Sequence, residues 1–419
     1  CCMNGTNTTA TATSVTAQLP ASMSDITVSG CGTLAGNSSC LLTFTLPSSP
    51  TLYPPTEITI GGSNTNTVLA TLAVAYPWVP NSTVQAIATD IPNDRIYLGG
   101  PFTQLGPNTG GGVPVDTSSS GTIPSLTSFP HVGGTVLVSV SDGSGGWYVG
   151  GTFSTVGGVT RNNIAHIKND RTLDTAWNPN ANNTVYTLVV SGNTVYAGGD
   201  FTSIGGGTRN RIAALDSTTG NATSWDPNSN NTVRTLFVSG STIYAGGDFT
   251  TVGGGARNRI AALDSTTGNA TSWNPNSSST VRTLVVSDST VYVGGNFTTI
   301  GGQTRNRIAA LYSTSGTATS WDPNSSSTVN ALVVSGSTIY AGGLFTTIGT
   351  QARNRIAALD ISSGAATSWN PDSNGSVNAL AVSGSTIYAG GLFTIIGGQN
   401  RNRIAALDNT LGNATSWNP

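Results

Sequence analysis

The chain has 419 residues, of which only 8% are charged, and its formal net charge is -2. Ordinary soluble domains carry about 25% charged residues, and the near-neutral balance excludes a strongly basic nucleic-acid binder and a polybasic membrane-attachment segment. No apolar run approaches the roughly 20 residues that a membrane-spanning helix needs, so we expect no transmembrane segment.

The four cysteines lie within the first 40 residues. Cys31 and Cys40 sit in a strand, turn, strand pattern that predicts a disulfide across a hairpin; zinc is the competing interpretation, but the two histidines are distant in sequence. Cys1 and Cys2 are adjacent, and thus better placed for a lipid anchor or an intermolecular crosslink than for pairing with each other. A processed bacterial lipoprotein would begin at such a cysteine; the alternative is an exported chain whose leader was removed elsewhere.

Residues 1–76 differ in kind from the rest of the chain. Five or six short β-type segments are separated there by Pro, Gly and Asn turns. This pattern predicts a small immunoglobulin-like β-sandwich that lacks its outermost first strand.

Residues 77–419 consist of repeats. A Gly-Gly pair recurs with a spacing of 51 residues and then of 48 residues five times, which gives seven copies that we number one to seven. The pairs begin at Gly99, Gly150, Gly198, Gly246, Gly294, Gly342 and Gly390.

Each repeat reads as four short antiparallel strands. In repeat four, a β-branched strand ends at the hairpin signal Ser239-Gly240, and two further strands and the segment "ATSWNP" follow. Four such strands form a propeller blade, so we predict an all-β chain with a seven-bladed β-propeller; a parallel β-solenoid is the runner-up. One tryptophan per repeat is expected to fill the space between blades: Trp177, Trp225, Trp273, Trp321, Trp369 and Trp417.

The closure of the ring has two interpretations. In the first, the last blade uses its own segment up to Trp417, and Trp78 caps the seam. In the second, the segment before Trp78 completes blade seven as a latch. Repeats one and two are degenerate, so the N-terminal region is expected to dock near them.

The phrase "YAGGDFTSIGGGTRNRIAALD" of repeat three resembles the bacterial propeller repeat of unknown function often called the delta-sixty repeat. This resemblance implies a propeller fold and no particular reaction. The N-terminal segment resembles Ig-like modules of Gram-negative surface proteins, through its paired cysteines and its "GSNTNTV…ATLAV" ending. Together, the two resemblances imply an exported bacterial surface protein.

The Arg-Asn-Arg phrase is the strongest candidate site. Alternate residues of a strand share a face, so a ring of guanidinium groups on one propeller face would suit an acidic glycan or phosphate. The alternative, which we favour, is that each arginine pairs with a local aspartate or caps turn carbonyls. The ring would contain Arg209, Arg257, Arg305, Arg353 and Arg401.

The aspartates that precede the turns are expected to form Asx turns rather than calcium sites, because they occur singly and Tyr312 replaces one of them. These residues are Asp216, Asp264, Asp360 and Asp408. Hence no cofactor or metal is expected, structural Ca2+ being the weaker alternative. His131 and His166 lie near no nucleophile motif, and no recognised catalytic motif occurs, which argues against an enzyme.

The sequence therefore predicts a non-catalytic exported protein at the outer surface of a bacterium. It would act as a binding platform or as a structural subunit of a surface assembly, with protein partners or further copies of itself. An adhesin that binds host or matrix glycans is the alternative, and a glycan-active propeller enzyme is a second alternative.

Overall fold

The computed structural model describes residues 130–418 in full, together with the backbone of nine strands between residues 13 and 107. All regular elements within these residues are β-strands. The chain divides into two compact units, residues 1–109 with 125–129 and residues 110–124 with 130–419. The predicted boundary between residues 76 and 77 lies inside the first unit.

The first unit contains small antiparallel sheets. Thr13–Gln18, Tyr53–Ser63 and Val68–Val74 form one three-stranded sheet, with the longest strand in the middle. The remaining strands pair two by two: Thr27–Ser29 with Thr43–Thr45, Trp78–Pro80 with Leu105–Pro107, and Ala86–Asp90 with Arg95–Gly99. Cys31 and Cys40 fall between one such pair, but these two cysteines, like Cys1 and Cys2, lie outside the described residues.

Repeats three to seven each form a three-stranded antiparallel sheet in which the second strand is central. Successive side chains of a strand point to opposite faces of its sheet, so the β-branched residues that predict these strands pack against the neighbouring sheets on both sides. The first strands are Val185–Ser191, Val233–Ser239, Val281–Ser287, Val329–Ser335 and Val377–Ser383. The second strands are Thr194–Gly199, Thr242–Gly247, Thr290–Gly295, Thr338–Gly343 and Thr386–Gly391. The third strands are Ile212–Asp216, Ile260–Asp264, Ile308–Tyr312, Ile356–Asp360 and Ile404–Asp408.

A two-residue hairpin lies between the second and third strands of each of these repeats. Two residues in the left-handed region form its turn: both are glycines in four of the repeats, such as Gly253 and Gly254 with φ of 61° and 74°, and in repeat six they are Gly349 and Thr350. The hairpins pair Ser203–Ile204 with Gly207–Thr208, Thr251–Val252 with Gly255–Ala256, Thr299–Ile300 with Gln303–Thr304, Thr347–Ile348 with Gln351–Ala352, and Ile395–Ile396 with Gln399–Asn400. Repeat two has the strands Val132–Ser141, Trp147–Val156, Val159–Thr160 and Ile164–Ile167.

In repeats two to seven, the fourth strand is shorter than predicted. In repeat three it is reduced to one bridge between Leu215 and Ala222, extended by a hydrogen bond from the Thr223 amide to the Ala214 carbonyl. The following tryptophan then turns into the core, and the proline two residues later cannot donate to a ladder.

The core lies between successive sheets. Tyr196 and Ile212 of repeat three, for example, pack with Val233, Ile243 and Phe249 of repeat four. Five such clusters join repeats two to seven. Neighbouring first strands pack closely, whereas neighbouring third strands lie farther apart. The sheets therefore fan out from their first strands, as the blades of a propeller do.

Candidate functional site

In repeats two to seven, the first strand carries a β-bulge opposite the Gly-Gly pair. In repeat three, Val185 pairs with Gly199 and Thr187 pairs with Gly198, so Tyr186 is an extra residue. A Cβ atom on Gly198 would lie 2.7 Å from side-chain atoms of Thr187 and of Val233 in the next repeat. The Gly-Gly pair therefore allows the close approach, and the bulge redirects one side chain.

The same register shift occurs in repeats two to seven. The extra residues, here called the bulge row, are Leu137, Tyr186, Arg234, Arg282, Asn330 and Asn378. The residues that follow the Gly-Gly pairs, here called the flanking column, are Thr152, Asp200, Asp248, Asn296, Leu344 and Leu392. Most other positions are nearly identical among repeats three to seven, but these two sets differ in charge and polarity. Variation of this kind on a repeated scaffold marks a candidate binding surface.

Arg234 is held by a carboxylate of its own repeat. Its Nε and Nη2 atoms each lie 2.7 Å from Oδ2 of Asp248. The other oxygen of Asp248 accepts the hydroxyl of Thr280, from the next repeat, at 2.5 Å. Asp248 thus joins two repeats, and the charge of Arg234 is compensated.

Tyr186 extends this network toward repeat three. The guanidinium carbon of Arg234 lies 5.5 Å from the centre of the Tyr186 ring, a cation–π contact. Asp200 accepts the hydroxyl of Thr232 at 2.5 Å. Burial raises the pKa of Tyr186, and the nearby charge of Asp200 raises it further, so the phenol remains protonated at neutral pH.

Arg282 differs from Arg234 because the flanking column supplies an amide in its repeat. Its Nε donates to Oδ1 of Asn296 at 3.2 Å, and its side chain is exposed. Within residues 130–418 it forms no ion pair and no second hydrogen bond. Although the residue is exposed overall, partial desolvation of the guanidinium group, and after it the positive charge of Arg234, lower the pKa of Arg282, while Asp248 acts in the opposite direction.

The row becomes neutral in repeats six and seven. Nδ2 of Asn330 donates to Oδ1 of Asn378 at 3.1 Å, so the bulge residues of these two repeats are in direct contact. The flanking residues there are Leu344 and Leu392, which are 49% and 68% exposed. From repeat four to repeat seven, the bulge row and the flanking column together therefore change from charged residues to amides and exposed leucines.

The structure places the predicted arginine ring inside the repeats. Nη1 of Arg305 donates to the Thr304 carbonyl at 2.8 Å, and Nη2 donates to the Thr319 carbonyl at 2.5 Å. The Nε atoms of these arginines are buried without a partner. The same carbonyl contacts recur for Arg209, Arg257, Arg353 and Arg401. These guanidinium groups brace the outer segment of their own repeat.

In repeats three to six, the second arginine of the phrase connects neighbouring repeats. Arg307 has a φ of 64°, and its Nη1 donates to the Ser325 carbonyl at 3.1 Å. In repeat two, Asn163 takes this place and donates to the Ala181 carbonyl.

The repeated tryptophans are buried between sheets. Nε1 of Trp321 donates to the Asp360 carbonyl of the next repeat at 3.0 Å, and the ring packs edge-on against Tyr292 at 5.2 Å. The equivalent indole hydrogen bonds are made by Trp177, Trp225, Trp273 and Trp369, and Trp417 packs against Tyr388.

The four turn aspartates accept local hydrogen bonds. Oδ1 of Asp264 accepts the amides of Thr266 and Thr267 at 3.0 and 2.7 Å, which is the pattern of an Asx turn. The amide and hydroxyl of Thr267 lower the pKa of Asp264. Asp216, Asp360 and Asp408 make equivalent contacts.

His166 lies between two carboxylates in repeat two. Its Nδ1 is 3.0 Å from Oδ2 of Asp174, its Nε2 is 3.0 Å from Oδ2 of Asp142, and its ring stacks on Tyr148 at 4.3 Å. Ionised carboxylates only accept, so both contacts are hydrogen bonds when the imidazole carries both protons. The cluster ties the loop after the first strand to the outer segment of the repeat.

Burial raises the pKa of Asp142, but hydrogen bonds from Ser144, His166 and Gly146 outweigh it and lower the pKa to about 2. Asp142 therefore stays ionised at neutral pH. Residues 130–418 contain no group of three or more His, Cys, Asp or Glu side chains that could hold a metal ion. No helix in this described part is long and apolar enough to cross a membrane.

Reasoning from the sequence missed the bulge row. It concentrated on what the repeats share, whereas this site is marked by what they do not share. A column-by-column comparison of the repeats would have found the position after each "TV" or "SV" pair, which holds Tyr, Arg, Arg, Asn and Asn in turn. The register shift that redirects it is visible only in the structure.

Residues 143–176, 193–218 and 287–311 match the family described as a domain of unknown function (DUF5122) beta-propeller. The chain thus carries β-propeller repeats. No curated protein sequence matches it. Among solved structures, the computationally designed Ika8 protein is similar with 16% identity, 81% of this chain and 87% of that chain covered, and a TM-score of 0.49. BamB from Moraxella catarrhalis is similar with 18% identity, 63% and 68% covered, and a TM-score of 0.37.

Proposed function

We propose that this protein is a non-catalytic exported binding platform whose ligand contacts the bulge row. The observation that carries the proposal is the recurrent bulge, which presents four types of side chain, Leu, Tyr, Arg and Asn, at the same position of the sheet in six repeats. A rigid scaffold with one varied, contiguous row of side chains suits recognition of an extended ligand.

We further propose that the platform is a seven-bladed ring preceded by an Ig-like sandwich at the outer surface of a bacterium. The seven Gly-Gly pairs support the ring, and the 8% content of charged residues supports an exported setting. A disulfide between Cys31 and Cys40, and lipid attachment or crosslinking through Cys1 and Cys2, belong to the same proposal.

The proposal is tested by a triple variant that removes exposed side chains of the bulge row: Leu137→Ser, Arg282→Ser and Asn378→Ser. The matched control changes exposed residues at the opposite end of the sheets: Leu411→Ser, Tyr312→Ser and Asn269→Ser. Both proteins and the parent are applied to an array of bacterial and host polysaccharides. We expect binding by the parent and the control and a loss in the row variant; equal binding by all three proteins would refute the proposal.

A structural subunit of a surface assembly is the second candidate, favoured by the near-identical repeats and the low charge. Electron microscopy of the purified protein separates the two. Ordered polymers, together with an array on which the parent binds nothing, would replace the platform by the subunit.

A further inference from the structure

We propose that Arg282 binds a carboxylate group of an acidic, hydroxyl-rich ligand. The inference rests on the proposed binding role of the bulge row and names the ligand chemistry at one position. It starts from the difference between repeats four and five, whose bulge residues are both arginine but whose flanking residues are Asp248 and Asn296.

In repeat four the guanidinium is already occupied. Asp248 receives Nε and Nη2 of Arg234 on one oxygen and the Thr280 hydroxyl on the other, and neither oxygen bonds to Arg282. In repeat five the amide oxygen of Asn296 takes only Nε. The Nη1 and Nη2 atoms of Arg282, which donate to no described residue, form the planar fork that matches a carboxylate.

The charges around Arg282 favour an anion. Arg234 and Asp248 compensate each other, so Arg282 contributes one uncompensated positive charge to this part of the row. On its other side, Asn330 is neutral and partly buried. The bulge and flanking residues of repeats five and six therefore carry no negative charge that would repel a carboxylate at the fork. Amides at Asn296 and Asn330 can hydrogen-bond neighbouring hydroxyl groups of the same ligand.

The sharpest test supplies the missing carboxylate from the protein. Asn296→Asp recreates in repeat five the pair that Arg234 and Asp248 form in repeat four, and it should occupy the Arg282 fork without disturbing the sheet. Asn269→Asp is the matched control, because it adds the same charge at an exposed turn at the opposite end of the sheet. Arg282→Ala removes the fork itself.

The probe is oligogalacturonate, and its binding to the full chain is measured by titration calorimetry at fixed salt. We expect binding by the parent and by Asn269→Asp, and a loss of at least about tenfold in affinity for Asn296→Asp and Arg282→Ala, since hydrogen bonds to a charged group are the strong ones. Neutral oligogalactoside should not bind, and dextran sulfate should bind more weakly than the uronate.

Three outcomes would overturn the inference. They are no binding of oligogalacturonate by the parent, undiminished binding by Asn296→Asp, and equal or stronger binding of dextran sulfate, which would indicate charge without carboxylate geometry. In each of these cases the array experiment with the triple variant still decides the platform itself, because it depends on no particular ligand class.

Discussion

At the scale of single residues, the glycine pair determines where the site forms. A side chain at Gly294 would collide with the neighbouring strand and with the next repeat, so the second strand requires a residue without a side chain at this point. The first strand accommodates the close approach by inserting one residue, and that residue faces away from the ladder. The repeat therefore keeps its glycines for packing and leaves the bulge residue free to vary.

Gly294→Ala should therefore destabilise the protein by about 1–3 kcal/mol. Its Cβ would lie 2.7 Å from side-chain atoms of Thr283 and Val329. Gly255→Ala is the control, because the nearest atom there is Nη1 of Arg257 at 3.3 Å and the next repeat carries Gln303 at this position; we expect a change within about 0.5 kcal/mol. The measurement is urea unfolding followed by tryptophan fluorescence, and equal losses in both variants would contradict the packing argument.

Asp142 gives a prediction about acid. Its pKa is lowered from 3.8 to about 2 in the folded chain. The ionised carboxylate therefore adds its full contribution to the free energy of unfolding above the pKa of the unfolded state, and this contribution is lost as the pH falls from about 4 to about 2. Asp142→Asn should cost about 2 kcal/mol at neutral pH and flatten this part of the stability curve. The control is Asp288→Asn, at a turn where other repeats carry Gly, and its free energy of unfolding should fall with pH as steeply as that of the parent. Parallel curves for the parent and Asp142→Asn would contradict the assignment.

At the scale of the elements, the tryptophans connect one repeat to the next. Trp321→Phe keeps an aromatic ring but removes the hydrogen bond to the Asp360 carbonyl. We expect a loss of about 1–3 kcal/mol from the missing bond and the smaller ring. Tyr340→Phe is the matched control, since within residues 130–418 its hydroxyl forms no hydrogen bond and the ring packs on Trp369 in the same way. A control variant as unstable as Trp321→Phe would show that the indole bond contributes nothing.

Much of each element could be predicted from the sequence, because the periodic spacing and the turn residues act locally. The hairpin after Ser239 and the third strand Ile260–Asp264 follow from such signals. The fourth strand was overestimated because the tryptophan in "ATSWNP" is drawn into the core between sheets, a long-range effect. For the same reason, the carbonyl partners of Arg305 and the bulge at Arg282 depend on packing that no single repeat encodes.

At the scale of the whole molecule, five cores join six sheets in sequence, and the two end sheets each have one face without a described neighbour. The difference is visible in one column of tyrosines. Tyr340 is 4% exposed because the next sheet covers it, whereas Tyr388 in the last sheet is only partly buried among the described residues. The proposed seven-bladed ring would need a further sheet against this face, and repeat one, residues 81–129, is the proposed source of that sheet.

The ring can be tested at a glycine that is equivalent to Gly294. Within the described residues, a Cβ on Gly390 would meet only Ala379, at 3.8 Å, because no following sheet supplies the valine that crowds the other repeats. If repeat one closes the ring, Gly390→Ala in the full chain should cost about as much as Gly294→Ala, about 1–3 kcal/mol. If the sheets form an open arc, the same substitution should change the free energy of unfolding by less than about 0.5 kcal/mol. Because the two glycines share backbone conformation and position in the repeat, the comparison isolates the presence of the covering sheet.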